Sequence, residues 1–395
     1  MKILDLLEKT IDNRGRTPPV TDDGYCLLEI NCIAGKDKYP DYSLVKKHVT
    51  AETYNSWFRS GHPQKGDILI PTVGTLDAVS MMDRDDCCIA QNLVAFRSNP
   101  KICDCDFLYY LLCDPTVRTR VLQLDIGAVQ PSIKVPHLKN LEVEIPDLDK
   151  QKKIARILNI LDKKIAINKK VNENLEQQIE AFLLDFLDNK ETKPAKLGDY
   201  LYIKGRIGWK GLKKSEYLSQ SNYRIINGET LTKSGIDWNK AGYISEERYV
   251  ESPEIMLQVG DILLSKDGTI GKIGYVDSLE LPTSVASGIF VIRNNKPNII
   301  STTFIYYLLK SRLFESFIAA RTEGSVIPHL YQKDFMEFEF PLPTSVKMAE
   351  FEKLTEPMFS QIINNLNENK KLVVLRDALL PKLMSGELDV SGLDL

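Results

Sequence analysis

The sequence predicts an α+β fold in which two strand-rich regions alternate with two long helices that pair as an antiparallel coiled coil. Three observations support this prediction. The chain of 395 residues repeats several phrases half a chain apart, short apolar runs fill the first part of each repeat, and a heptad apolar pattern fills the second. We therefore expect a pseudo-twofold internal repeat.

The internal repeat is visible in three pairs of phrases. They are "GDILIPTVGT" from Gly66 and "GDILLSKDGT" from Gly260, "FLYYLL" from Phe107 and "FIYYLL" from Phe304, and "GAVQPSI" from Gly127 and "GSVIPHL" from Gly324. The shift is 194 positions for the first pair and 197 for the other two. A period this long indicates duplicated domains and excludes a solenoid of short repeats.

The first part of each copy is predicted to be rich in strands. "GDILI", "NLVAF" and "LEVEI" in the first copy, and "GDILL", "GIFVI" and "MEFEF" in the second, are apolar or alternating runs between turn residues. "DFLYYLLCD" and "TFIYYLLKS" have the pattern of short helices. The turn after "GDILL" contains three glycines but lacks the spacing of a phosphate-binding P-loop, so it is expected to connect two strands.

The second part of each copy is predicted to be helical. No proline or glycine interrupts residues 151–187, where apolar residues alternate at spacings of four and three. Asparagine interrupts this seam at Asn168 and Asn172, and at Asn365 and Asn369 in the second copy. We expect Asn168 beside Asn369 and Asn172 beside Asn365, where they would fix the helix register. The alternative is that these asparagines face solvent.

Two prolines make the second helix less regular. Pro357 is expected near its start, Pro381 near a kink or its end, and Gly386 just beyond it. The predicted domain boundaries are 1–148 and 191–344 for the two strand-rich domains, and 149–190 and 345–395 for the two helical regions.

Composition and charge restrict the class of protein. Hydrophobic residues make up 43% and charged residues 27% of the chain, which is ordinary for a globular protein. Acidic residues near the start and the lack of a long apolar run predict a cytoplasmic location without a membrane span. The net charge of −3 excludes a globally basic DNA-binding protein, although residues 193–250 carry 11 Lys and Arg against 6 Asp and Glu, interleaved with aromatic residues.

No catalytic constellation or cofactor motif is found in the sequence. Cys103, Cys105 and His137 are possible metal ligands, but reduced cysteines in a core are the preferred interpretation. The only Pro-Pro pair, "TPPV" from Thr17, is not the Asn/Asp-Pro-Pro-aromatic motif of amino-methyltransferases. We therefore expect no catalytic residues, no metal and no cofactor.

Several segments in this order resemble the specificity (S) subunits of type I restriction–modification systems. They are "GRTPP" from Gly15, both "GDIL" phrases, "GAVQPSI" with the following "EIPDLDKQKKIARILNILDKKI", and "LRDALLPKLMSGEL" near the end. The resemblance covers nearly the whole chain. The chain departs from the family pattern at two positions. Ile327 stands where the first copy has Gln130, and Pro357 lies in the second helix.

The resemblance implies a non-catalytic protein that recognises double-stranded DNA. In that family two target-recognition domains each read half of a bipartite, asymmetric site. The helices set the spacing and dock two methyltransferase (M) subunits, to which restriction (R) subunits are added. The open alternatives are a self-contained DNA-modifying enzyme and a scaffold that binds only protein.

Candidate DNA-binding residues are basic or polar side chains in glycine-containing loops. In the second domain they are Lys204, Arg206, Trp209, Lys210, Lys213, Lys214, Lys266, Thr269 and Lys272. In the first domain they are Arg14, Arg16, Lys36, Lys38, Gln130 and Ser132. Arginine is suited to bidentate contact with guanine, and lysine to phosphate. For any single lysine, a solvated surface position is the competing interpretation.

Overall fold

A computed structural model describes residues 1–35, 37–127, 130–188, 191–206, 211–232, 235–322 and 329–393, without the side chains of residues 214 and 322. The chain forms two compact units. Unit 1 comprises residues 1–168 and 368–395, and unit 2 comprises residues 169–367. Both chain ends therefore belong to unit 1, where the Met1 ammonium donates to the Val143 carbonyl over 2.9 Å.

Unit 1 contains short strands and helices, followed by the start of a long helix. The strands are β1 Leu7–Ile11, β2 Tyr25–Leu28, β3 His48–Val49, β4 Ile68–Pro71, β5 Ser80–Met81, β6 Cys87–Ile89 and β7 Leu93–Ser98. The helices are α1 Ile30–Ile33, α2 Ala51–Ser56, α3 Cys105–Cys113, α4 Pro115–Leu122, α5 Val135–Lys139 and α6 Leu148–Leu187. Short 3-10 turns lie at Ile3–Leu6 and Tyr42–Leu44.

Two sheets organise unit 1. The larger has the strand order β1-β7-β4-β5 and is antiparallel throughout. The smaller has the order β3-β2-β6, with β2 and β6 parallel. The main core lies between the larger sheet and the helices, where Phe96, Phe107 and Tyr110 are buried. Strand β4 is buried at every position because both faces of the sheet are covered.

Unit 2 repeats this inventory with additional strands. Its strands are β8 Thr192–Lys196, β9 Leu201–Gly205, β10 Tyr223–Ile226, β11 Leu231–Thr232, β12 Gly235–Ile236, β13 Gly242–Ile244, β14 Ile262–Ser265, β15 Ile273–Tyr275, β16 Thr283–Val285, β17 Ile289–Asn294 and β18 Glu339–Pro343. Its helices are α7 Glu246–Val250, α8 Thr302–Lys310, α9 Arg312–Thr322, α10 Gln332–Met336 and α11 Ser345–Met384. The 3-10 turns are Leu197–Asp199, Lys214–Glu216, Trp238–Lys240 and Pro253–Ile255.

The strand order of unit 2 matches that of unit 1. Its four-stranded sheet has the order β15-β14-β17-β9, which is the order of unit 1 read from the other edge. Its three-stranded sheet has the order β13-β10-β16, again with one parallel pair. Strands β11 with β12 and β8 with β18 form two further ladders. The duplication inferred from the repeated phrases is therefore a duplication of topology.

The same buried ion pair stabilises each four-stranded sheet. Arg97 on β7 donates Nε and Nη2 to the two carboxylate oxygens of Asp67, over 2.9 and 2.8 Å. Arg293 on β17 binds Asp261 in the same way, with both distances 2.7 Å. These aspartates are the second residues of the two Gly-Asp-Ile-Leu phrases.

The long helices α6 and α11 bury the predicted seam. Every seam position is buried or half-buried, from Ile154 to Phe186 in α6 and from Phe351 to Leu383 in α11. Within unit 1, Asn168 donates to Asn369 over 2.9 Å and to Glu368 over 2.7 Å. Within unit 2, Asn365 donates to Asn172 over 2.7 Å. The asparagines are at most 8% exposed, so their amides are bonded to each other instead of to water.

Two local expectations were wrong. Helix α11 begins at Ser345, well before Pro357, although it ends at Met384, shortly after Pro381, as expected. Burial of Met348, Phe351 and Phe359 in the core of unit 2 offsets the roughly 3 kcal/mol that an internal proline costs a helix. The "LEVEI" segment forms one isolated bridge, Lys2 to Glu142, and not a strand. Gly386 does follow the helix end, with a φ of +75°.

None of the helices in the described ranges combines the length and apolar character that crossing a membrane requires.

Candidate nucleic-acid interface

In unit 1 two of the repeated phrases form adjacent loops. Residue Val73, after β4, pairs with Ser132 through a backbone bridge. Gly74 N–H donates to the Pro131 carbonyl over 2.8 Å, and Ile133 N–H donates to the Thr72 carbonyl over 2.9 Å. Gly74 has a φ of +83°, which only glycine adopts without strain. The repeated Gly-Thr turn and the "GAVQPSI" loop are thus parts of one surface.

The Asp125 carboxylate holds the second of these loops. It accepts from the backbone N–H groups of Gly127 and Ser132, both over 2.8 Å. These bonds lower the pKa of Asp125 below its ordinary value, with Ser132 the larger cause. Gln130 is exposed and Ser132 half-buried, so both candidates lie on the rim of this surface.

Unit 2 joins the corresponding loops with different side chains. Asp267 pairs with His329 through the equivalent backbone bridge, and Leu330 N–H donates to the Lys266 carbonyl over 2.9 Å. The His329 ring also contacts the Asp267 carboxylate through Nδ1, and Lys266 Nζ lies 3.1 Å from the other carboxylate oxygen. Where unit 1 has Val73 and Ser132, unit 2 therefore has charged and titratable groups.

Arg14, just before the "GRTPP" segment, and Arg16 within it have different environments. Arg14 donates Nε and Nη2 to the carboxylate of Asp12 over 2.8 and 2.7 Å, and this pairing raises the pKa of Arg14. Arg16 is exposed and lies with its guanidinium 4.3 Å from the centre of the Trp57 ring. Arg14 is thus occupied by an internal partner, whereas Arg16 is supported on an aromatic face.

Lys38 is buried, which argues against its predicted contact with DNA. Its side chain is 4% exposed, and Nζ donates to Asp106 over 2.5 Å and to the Asn159 side chain. The ring of Tyr110 lies 5.0 Å from the same ammonium. The charge is satisfied inside unit 1, because a lysine without such partners would not be buried. Lys36 lies outside the described residues.

Arg206 is also buried, and its hydrogen-bond partners lie inside unit 2. It is 3% exposed, and its guanidinium donates to the Val285 carbonyl over 3.1 Å and to the hydroxyls of Ser252 and Ser284. Burial, together with the charge of Arg248, lowers the pKa of Arg206. Lys204, two residues earlier on β9, is exposed.

The turn after the "GDILL" phrase of unit 2 contains three candidates, Lys266, Thr269 and Lys272. Strands β14 and β15 form the predicted hairpin, whose turn is closed by the Ser265 hydroxyl donating to the Thr269 carbonyl over 2.7 Å. Thr269 is exposed, and Lys272 is half-buried with Nζ donating to the Gly228 carbonyl over 3.0 Å. Lys266 lines a pocket together with Gly205, Arg206, Phe290, His329 and Gln332.

Four candidates of unit 2 lie close together in the sequence, at Trp209, Lys210, Lys213 and Lys214, and the structure describes only the last two. Lys213 is exposed, and its backbone N–H donates to Glu216 over 2.7 Å. Lys214 begins a short 3-10 turn. Trp209 and Lys210 lie outside the described residues.

The sequence patterns did not predict three contacts near the candidate residues. These are Trp57 under Arg16, the Asp267–His329 contact, and the arginines that pair with the two Gly-Asp-Ile-Leu aspartates. Only the last left a signal in the sequence, since Arg97 and Arg293 end corresponding apolar runs. The others join residues distant in the chain, which spacing does not reveal.

Four of the seven cysteines are buried and three are half-buried. All seven are free, and among the described residues no group of three or more His, Cys, Asp or Glu side chains is arranged to hold a metal ion. Burial raises the pKa of the Cys87, Cys88 and Cys103 thiols to about 12. Thiols with such pKa values remain protonated near neutral pH and are poor nucleophiles and ligands.

The observations define a class of protein: a duplicated α+β chain whose two units present similar loops with different polar side chains. A family model described as the type I restriction modification DNA specificity domain matches residues 35–177 and 189–374. The chain therefore belongs to the type I restriction–modification DNA specificity family, and the resemblance inferred from its motifs is confirmed.

Individual relatives agree with this assignment. The type I restriction enzyme MjaIX specificity subunit of Methanocaldococcus jannaschii is 28% identical over 308 residues, which cover 73% of this chain and 70% of that protein. The HindI specificity subunit of Haemophilus influenzae is 22% identical, with 82% and 87% covered. The crystal structure of a type I S subunit from M. genitalium has the same fold, with a TM-score of 0.59, 20% identity, and 97% and 95% coverage.

Proposed function

We propose that this chain is the sequence-specific DNA-binding subunit of a type I restriction–modification complex, in which each unit reads one half of a bipartite site. The observation that carries the proposal is one strand order present twice, with different side chains on corresponding loops. Two similar readers with different contact residues require two different half-sites. The recognised site is therefore asymmetric.

The proposed contacts are exposed or half-buried polar side chains, some in the repeated loops and some outside them. For unit 1 they are Arg16, Gln130 and Ser132, and for unit 2 they are Lys204, Lys213, Lys266, Thr269 and Lys272. Lys36, Trp209, Lys210 and Lys214 remain candidates from the sequence. Lysines would position the protein on phosphates, whereas base-edge contacts would supply specificity. Arg14, Lys38 and Arg206 are left out because internal partners engage them.

We further propose that α6 and α11 pair as an antiparallel coiled coil with pseudo-twofold symmetry. Asn168 with Asn369, and Asn172 with Asn365, exchange places when the two helices are exchanged, as a twofold axis requires. Buried asparagines at seam positions specify register at some cost in stability. Each helix has 40 residues and would be about 60 Å long. The proposed domain boundaries remain 1–148, 149–190, 191–344 and 345–395.

The proposed protein partners are methyltransferase subunits, two in number, which would bring restriction subunits into the complex. The outer face of α6 suits such docking because Ile160, Ile167 and Val171 are exposed there beside basic residues such as Lys152 and Arg156. Exposed apolar side chains rimmed by charge are typical of protein interfaces. Catalysis would come from these partners, and the complex would act on DNA in the cytoplasm.

The test is selection from random DNA duplexes, performed with the chain alone and with its cognate methyltransferase subunit. The proposal predicts enrichment of a bipartite, asymmetric motif in the complex. Enrichment of a single continuous motif, or of none, contradicts it. Methylation of DNA by the isolated chain would instead identify a self-contained enzyme.

A further inference from the structure

We propose that Arg16 reads the edge of a guanine in one half of the recognition site, and that Trp57 holds its guanidinium for this purpose. This inference rests on the proposed function. It concerns the loop of residues 12–18 in unit 1, which follows β1.

Trp57 fixes the plane of the arginine without occupying its donors. The Arg16 guanidinium carbon lies 4.3 Å from the centre of the indole ring, which is the geometry of a cation–π contact. A guanidinium stacked in this way keeps its N–H groups at the edge of its plane. Among the residues that the structure describes, Arg16 makes neither a hydrogen bond nor an ion pair with its side chain, and it is exposed.

The loop around Arg16 is anchored on both sides. The Asn13 side chain donates to the Gly61 carbonyl over 2.9 Å and accepts from Ser60 N–H over 2.9 Å. On the other side, the Gln91 amide donates to the Thr17 hydroxyl over 3.0 Å. A base-reading side chain must be held in place, because its contact loses discrimination when it is free to move.

Arg14 provides a control within the same loop. Its two donors are bound by Asp12, so it contributes a paired charge and no free fork. Gly15, with a φ of +101°, separates the two arginines and lets the backbone reverse between them. This loop therefore holds one arginine whose charge is paired with Asp12 and one whose donors are available.

Guanine is the expected partner because it presents O6 and N7 side by side as two acceptors in the major groove. A pre-oriented guanidinium matches this pair with two parallel hydrogen bonds, whereas lysine provides one compact charge. A phosphate contact would not need the stack, and the exposed Lys9 and Arg59 on neighbouring segments are suited to phosphates.

The test compares sequence profiles selected from random duplexes by the complete complex containing Arg16→Lys, Arg14→Ala or the unchanged chain. We expect Arg16→Lys to reduce the preference for guanine at one position by roughly tenfold or more. The other half of the motif should be unchanged, and Arg14→Ala, which removes a charge from the same loop, should leave the profile intact.

Trp57 is tested as a positioning residue with two substitutions. Trp57→Ala should weaken the preference at the same position, and Trp57→Phe should restore part of it because a ring remains beneath the guanidinium. Equal effects of the two substitutions would remove the stacking role. Thermal unfolding of each complex shows whether the compared variants are equally folded.

Two outcomes overturn the assignment while leaving the proposed function in place. One is an unchanged profile for Arg16→Lys, which includes the case of a motif without guanine. The other is an equal loss of affinity for all sequences, which would indicate a phosphate contact. If the unchanged complex selects no bipartite motif, the proposed function fails, and this inference fails with it.

Discussion

At the scale of the residue, the aspartate of each Gly-Asp-Ile-Leu phrase is buried and bound by an arginine of the same sheet. Asp67 and Asp261 are each 1% exposed, and each also accepts a backbone N–H, from Gln64 and Gln258. The carboxylates raise the pKa of Arg97 and Arg293, chiefly through their hydrogen bonds. The phrase is repeated because each sheet needs the same buried pair.

Replacing Asp67 by Asn should therefore be costly. The substitution preserves shape but removes the buried carboxylate that binds both donors of the half-buried Arg97, and we expect the free energy of unfolding to fall by about 3 kcal/mol. Urea unfolding measures this loss. Asp12→Asn breaks the more exposed pair with Arg14 and should cost less than about 1 kcal/mol. Equal losses for the two variants would contradict the distinction.

His62 should make the stability of unit 1 depend on pH. Its ring stacks on Tyr54 at 3.6 Å, and Nε2 donates to the Tyr54 carbonyl over 2.7 Å. Burial, and to a lesser extent the charge of Lys9, lowers the pKa of His62 below 6.5. The unfolded chain then binds a proton more readily than the folded chain, so stability is complete above pH 6.5 and decreases as pH falls below it.

The measurement is the urea midpoint at several values between pH 7.5 and pH 5. Replacing His62 by Phe should flatten the decrease. Lys9→Ala should flatten it in part, because removing that charge lets the pKa of His62 rise toward its ordinary value. A slope that neither variant changes would assign the dependence to other groups.

At this scale the sequence identified charge but not burial. Lys38 and Arg206 were predicted to contact DNA because they stand in basic, glycine-containing segments. Their burial depends on partners far along the chain, such as Asn159 and Val285. No local pattern distinguishes them from Arg16 or Lys204, which are exposed.

At the scale of the element, the long helices were the most predictable parts, because a seam repeated over 37 residues leaves little alternative. The start of α11 was not predictable from local rules. Proline within a first turn is the ordinary preference, but the burial of Met348 and Phe351 before Pro357 extends the helix to Ser345. Tertiary packing thus overrode the local preference.

The asparagines of the seam lead to a prediction at this scale. Asn168→Leu alone should destabilise unit 1 by about 1–3 kcal/mol, because the buried Asn369 side-chain oxygen loses the hydrogen bond that Asn168 donates. The double replacement of Asn168 and Asn369 by Leu removes both polar groups and should restore most of this stability. Urea unfolding of the two variants, with Asn369→Leu as the matched single change, measures the coupling.

The double variant should also pair α6 with α11 less specifically. Only the Asn172–Asn365 pair then remains to specify the register, and a more apolar seam tolerates other registers and other oligomers. Light scattering coupled to size exclusion should therefore detect species absent from the unchanged chain. A double variant as unstable as the single ones would show that the asparagines do not act as a pair.

At the scale of the whole molecule, duplication was predictable because repeated phrases preserve their order and spacing. The strands that differ between the copies were less so. The β11–β12 ladder of unit 2 has no counterpart among the unit 1 elements that the structure describes, and no phrase marks it. Repeated phrases predict the strands that the two units share. They carry no information on strands that only one unit has.

The proposed coiled coil leads to a prediction about DNA spacing. If the paired helices fix the distance between the units, the two half-sites must lie at one separation and one rotation. Each added base pair shifts a half-site by about 3.4 Å and turns it by about 35°. Accommodating that change requires deforming DNA or protein, at a cost of order 1–6 kcal/mol by elastic estimates for DNA.

Affinity should therefore depend sharply on spacer length. Once the bipartite motif is known, duplexes with one base pair added or removed should bind the complex roughly tenfold or more weakly. An addition of five base pairs, which turns the second half-site to the opposite face, should reduce binding to the level of one half-site. Spacers of unchanged length but altered sequence are the control, and they should retain affinity within a few-fold. Binding that is indifferent to spacer length would show that the helices do not set the separation, even if both units still recognise their half-sites.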